Sequence, residues 1–223
     1  MAITLSGQCF CLKRNNISLR FQAVIFTVNK YIFTFLLLGF ISQGFSQDKS
    51  VDDLYMDFRV ERSEGSPGRA LQIGGKILGH MEKLPAKYQD NFNYHMGKLH
   101  EVNHEDDKAI LFYEKVAVAV PDYYVPHLAL GNLYLKSAKP LVQKLNASKN
   151  NRVEYDTYLS QYKQILVKAL PHLEKAQACD PNEDTLSALK YIYQTLKTPE
   201  KNATLESRSK ALSVNCITLI KDE

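Results

Sequence analysis

DNFNYHMGKLH at residues 90–100 and YVPHLALGNLY at residues 124–134 are the two stretches that decide the fold. Laid over each other at an offset of 34 residues, they put Gly97 on Gly131, Met96 on Leu130, His100 on Tyr134 and Asn93 on His127. In the first unit Ala109, Tyr113, Val116 and Pro121 follow Gly97 at 12, 16, 19 and 24 residues. Counting back from Pro181 by the same intervals finds Ala169, Leu173 and Ala176, so the second unit ends in the same way. From Gly131 to Ala169 there are 38 residues instead of 12, a surplus of 26. A repeat of this length is the first thing to seek in a sequence, because it organises everything else.

The spacing has a physical reading. Two helix axes approach to about 8–10 Å only where the side chain at the crossing is small. A proline ends a helix because it has no N–H and disfavours helical backbone in the residue before it. On these residues the chain resembles the tetratricopeptide repeat, a pair of antiparallel helices crossing at small residues. Gly97 and Ala109 match the small positions of one repeat, Gly131, Ala169 and Ala176 those of the next, and Pro121 and Pro181 the loop prolines. Three features depart from that pattern. Asn93 and His127 stand where a large aromatic is common, Val116 replaces a small residue, and the third unit has no glycine in register.

The resemblance implies an all-α fold, a solenoid of antiparallel helix hairpins. The surplus residues make one hairpin elongated. Tyr155, Tyr158, Leu159, Tyr162, Ile165, Leu166 and Ala169 recur at helical steps, as do Leu133, Ala138, Leu141, Val142 and Leu145 on the other arm. The polar stretch Asn146–Arg152 is the expected tip. Sharing the surplus gives each arm about 13 extra residues, roughly 20 Å of projection. Pro140 and Pro171 are expected to kink or interrupt the arms.

Around this centre the chain divides into a leader (1–46), a linker (47–66) with a short structured piece around Asp53–Val60, the repeat domain (67–213) and a tail (214–223). Residues 31–41, an eleven-residue apolar run after Lys30, suit a signal-peptide core and are too short to span a bilayer of about 30 Å. Small residues at Gly44 and Ser46 place cleavage between Ser46 and Gln47. An uncleaved N-terminal anchor is the other reading of this run. The chain is therefore expected to be exported, periplasmic or secreted.

The formal charge of +4 belongs to the leader, where Lys13, Arg14, Arg20 and Lys30 meet no acid; the rest carries 24 basic and 24 acidic residues. A neutral body offers no electrostatic footprint for nucleic acid. Cys9 and Cys11 leave with the leader. Cys179 and Cys216 are enough for one disulfide, but the expectation is two unpaired thiols, with Cys179 at a helix end. Thr198 followed by Pro199 reads as the N-cap and first-turn proline of a helix over Glu200–Leu212.

The sharpest catalytic pattern is His100-Glu101-Val102-Asn103-His104. In zinc peptidases this spacing sets two imidazoles on one helical face with a glutamate as general base, so a zinc metallo-hydrolase is the alternative function. The repeat register opposes it, because Asn103–Asp107 must be the turn between two helices. Cys179 with His172 is a weaker nucleophile–base candidate, since seven residues of regular helix keep the two apart. Gly74, Gly75 and Gly79 lie in a helical pattern and read as packing contacts, not a phosphate loop.

What remains is the groove. In the family that the chain resembles, the first helix of each pair lines a concave surface. That assigns Tyr94, Lys98 and Glu101, then Leu128, Asn132 and Leu135, to a partner-binding groove. The expected function is a non-catalytic scaffold that binds another protein or a peptide, with no cofactor, no metal and no nucleic acid. The family implies scaffolding, assembly or chaperone-like work in or outside the envelope of a Gram-negative-type cell.

Overall fold

Helices begin where the sequence supplies a cap or a proline. Ser50 Oγ accepts the Asp53 amide at 3.1 Å and opens α1, Val51–Glu64. Pro67 takes the first position of α2, Pro67–Leu78, where a missing N–H costs nothing. A 3-10 turn, Met81–Lys83, leads to α3, Ala86–Val102, and then α4, Asp106–Ala119. The elongated hairpin is α5, Tyr124–Ala147, and α6, Arg152–Cys179, the latter capped by Asn151. Asn182 caps α7, Glu183–Thr195, through the Thr185 amide at 2.8 Å. Two short helices follow, α8, Glu200–Ala203, and α9, Leu205–Leu212. The computed structural model describes residues 49–220. The leader, its cleavage site, Cys9 and Cys11 lie outside the described residues.

The protein is all-α, built from antiparallel helix pairs that pack on their neighbours, one pair being elongated. Among the described residues the single β feature is an isolated parallel bridge, Tyr123 to Ile217. No helix there is long and apolar enough to cross a membrane.

Two apolar clusters make the core. One gathers Tyr55 and Phe58 of α1, Ala70 and Ile77 of α2, Phe92, Met96 and Leu99 of α3, and Phe112 of α4. The other gathers Ala109, Tyr113 and Ala117 of α4 with Leu130, Leu133 and Tyr134 of α5, Leu166, Ala169 and Leu173 of α6, and Leu189, Ile192 and Tyr193 of α7. Helix α4 thus serves both.

Gly97 and Gly131 each lie in close contact with a side chain of the following helix. A Cβ on Gly97 would lie 2.8 Å from the Tyr113 ring, and one on Gly131 would lie 2.4 Å from Leu173 Cδ2. Gly74 is a close contact as well, with Met96 Sδ 2.3 Å from its virtual Cβ. Gly75 is not, since nothing lies within 4 Å, and Gly79 follows the end of α2 as its C-cap.

Several expectations need correction. The short piece expected around Asp53–Val60 in a linker is part of a full helix, Val51–Glu64, because Val51, Tyr55 and Phe58 recur on one face and are buried. Neither Pro140 nor Pro171 interrupts its arm. Both rings are exposed, and losing one donor in helices of 24 and 28 residues leaves the rest of the ladder intact. The hairpin tip is as expected, with α5 ending at Ala147 and α6 starting at Arg152. Thr198 is not an N-cap. Its amide donates to Tyr193 O at 2.8 Å and closes α7, and its buried hydroxyl has no partner among the described residues. The expected helix over Glu200–Leu212 is broken at Thr204.

The largest correction concerns the cysteines. Cys179 and Cys216 form a disulfide with a Cα–Cα distance of 5.6 Å, within the range that a bridge requires. The tail folds back over the start of α5 and brings Cys216 to the end of α6.

Candidate functional site

Six residues were assigned to the groove, and the structure divides them by how far each is already engaged. Tyr94 is half-buried in an aromatic cluster, its ring centroid 6.0 Å from Tyr113 and 5.1 Å from Tyr123. Glu101 accepts the Tyr113 hydroxyl at 2.8 Å. Leu135 packs against the larger core cluster, and Leu128 is half-buried. Lys98 and Asn132 differ from these. Both are exposed, and neither forms an ion pair or hydrogen bond among the described residues. They stand 34 residues apart at equivalent positions of α3 and α5. The engaged aromatic group stays protonated far above the usual range: burial first, and then the Glu101 carboxylate, push the Tyr113 phenol up.

The His100–His104 pattern does not form a shared helical face. Helix α3 ends at Val102, and His104 lies in the following turn with φ 59°. The turn closes as a Schellman motif, with Glu105 N–H donating to His100 O at 2.9 Å and His104 N–H to Glu101 O at 3.0 Å. The His100 ring is buried, stacks on Phe112 at 5.3 Å, and places Nδ1 2.6 Å from Glu105 Oε2. Glu101, the would-be base, is bound to Tyr113. Among the described residues no three metal-ligating side chains gather. The Glu105 carboxyl is held down to about 2, first by the Lys108 ammonium and then by His100 and Asn103.

Cys179 is unavailable as a nucleophile because its sulfur is in the disulfide, and His172 faces elsewhere. His172 Nδ1 lies 2.9 Å from His127 Nδ1 across the α5–α6 contact, with the Tyr134 ring stacked on His172 at 6.0 Å. Burial, then His172 and Lys175, depress His127 to about 4; burial lowers His172 too. This neutral imidazole pair was not foreseen. The only signal in the sequence was the departure at His127, where an aromatic is usual.

A second unforeseen arrangement closes the far end. Lys175 is buried, and its ammonium donates to Asp122 Oδ1 at 2.8 Å and to Leu212 O at 2.9 Å. Glu174 accepts from Arg208 at 2.6 Å and from Tyr193 at 2.8 Å. Burial above all pushes the Tyr193 phenol up to about 12. Beside this network an open cleft of about 460 Å³ is lined by Gln177, Leu186, Asn202, Glu206, Ser209 and Lys210, among others. Those side chains come from four separate segments and present no shared chemistry. No protein-family model, curated protein or solved structure matches the chain.

Proposed function

We propose that the chain is a non-catalytic scaffold that binds a protein or peptide along the face carrying Lys98 and Asn132. One observation carries this reading: a lysine and an amide at equivalent positions of successive hairpins, both exposed and both without a partner among the described residues. An extended peptide presents carbonyls and carboxylates at intervals, and a cation and an amide on adjacent helices suit that chemistry. Leu128 supplies an adjacent half-buried apolar surface. The resemblance to tetratricopeptide repeats supports the same reading. Export is part of the proposal, supported by the apolar run at 31–41 and by a disulfide, which persists in oxidising compartments.

The test is affinity capture from the native source with the unaltered chain and with a Lys98→Glu/Asn132→Ala variant. Circular dichroism is recorded on both. The reading expects a partner that the variant loses while keeping its helical signal. Retention of every partner by a folded variant overturns it.

A further inference from the structure

Residues 213–220 contribute almost nothing to the core. Val214, Ile217 and Leu219 are 73%, 37% and 64% exposed. Apart from the disulfide, two backbone hydrogen bonds fix the described residues beyond Ser213. Ile217 N–H donates to Asp122 O at 2.8 Å, and Tyr124 N–H donates to Ile217 O at 3.3 Å.

The second of those bonds has a particular place. Tyr124 is the first residue of α5, and α5 has no side-chain cap, because Tyr123 stands at the capping position. The first amides of a helix have no partner within it, and a side-chain oxygen just before the helix usually accepts one of them. Here the Ile217 carbonyl does so, from 93 residues further along the chain. The turn that it caps leads directly into Leu128.

We propose that Cys179–Cys216 is a reducible latch, holding the tail in place as a borrowed cap for α5. Both cysteines are half-buried, so a dithiol has access to them. A thiolate of that dithiol attacks one sulfur and breaks the S–S bond. Its second thiol then resolves the mixed disulfide. Cys179 and Cys216 end as thiols, and the dithiol ends as its own disulfide, having supplied two electrons and two protons.

Release is confined to the tail. The segment between the cysteines is held independently: α7 by Leu189, Ile192 and Tyr193, all 0% exposed, and α9 by Leu205 and the Arg208–Glu174 ion pair. Among the described residues, those beyond Ser213 have no comparable anchor. Freed, it withdraws the Ile217 carbonyl and leaves the first turn of α5 to fray.

Hydrogen exchange on the whole chain, oxidised and after dithiothreitol, tests this. Reduction should remove protection from the Ile217 amide and speed exchange in the first turn of α5 by about fivefold. The α3, α6 and α7 amides should keep theirs. A Cys216→Ser variant and a chain ending at Ser213 should match the reduced protein without added reductant. A reduced protein that keeps Ile217 protected overturns the latch, and an unchanged first turn of α5 overturns the cap. Loss of protection throughout α7 overturns the confinement of release and makes the bond a staple of the whole domain.

Discussion

His104 and Lys197 close their helices in the same way, 93 residues apart in the chain. Each has φ 59°, and they are the only non-glycine residues with positive φ among the described residues. Each donates its amide three residues back, His104 to Glu101 O and Lys197 to Gln194 O. The next amides, of Glu105 and Thr198, reach His100 O and Tyr193 O. A left-handed conformation costs a side-chain-bearing residue roughly 1–2 kcal/mol, which glycine does not pay.

His104→Gly and Lys197→Gly should therefore each stabilise the fold, by about 1 kcal/mol after the added freedom of glycine in the unfolded chain. Urea denaturation measures it. If His104 instead held a metal on a helical face, His104→Gly would destabilise the protein and the unaltered chain would carry stoichiometric zinc.

The glycines separate by environment. Gly131→Ala drives a methyl into Leu173 and should cost about 1–3 kcal/mol. Gly75→Ala points into open space in the interior of α2 and should stabilise by about 0.5–1 kcal/mol. Opposite signs in thermal melts of the two variants are the expected outcome.

Acid should weaken the fold through the imidazole pair. His127 titrates near 4 when folded and near 6.5 when unfolded, so the unfolded chain binds more protons between those values. His172 shifts in the same direction. Stability from this pair is complete above pH 6.5 and falls as the pH drops towards 4. The loss is on the order of 2 kcal/mol, given partial burial and the nearby Lys175, Asp122 and Glu114 charges. A His172→Phe variant should show a shallower fall in melting temperature over that window.

The proposed contact residues should be silent in stability. Lys98→Ala and Asn132→Ala, at exposed residues without a partner among the described residues, should stay within about 0.5 kcal/mol of the unaltered protein. Tyr94→Ala removes a ring packed on Tyr113 and Tyr123 and should cost about 2–3 kcal/mol. Chemical denaturation of the three variants side by side distinguishes them.

Gly97, Gly131, Pro121 and Pro181 made the hairpins and the long arms legible, because steric limits at helix crossings and helix ends are local and leave a mark at fixed spacing. The turn expected over Asn103–Asp107 was legible for the same reason, although α4 already starts at Asp106 and leaves only residues 103–105 outside the helices. The tail was not legible. Its attachment depends on Cys216 meeting Cys179 and on Ile217 meeting Tyr124, contacts between segments with no common period. Thr198 misled because the same residue suits the opening of one helix and the closing of another. Of the residues expected to line a groove, periodicity placed Tyr94, Glu101 and Leu135 on helices. It could not say that Tyr113, Tyr123 and the core had already engaged them.

Helix α4 presents Phe112 to one apolar cluster and the adjacent Tyr113 to the other. A row of hairpins with separate interiors would melt piecemeal, each pair at its own temperature. Here one fourteen-residue element is common property of both halves. Neither half keeps a complete interior without it, so heat should take the array apart in one step.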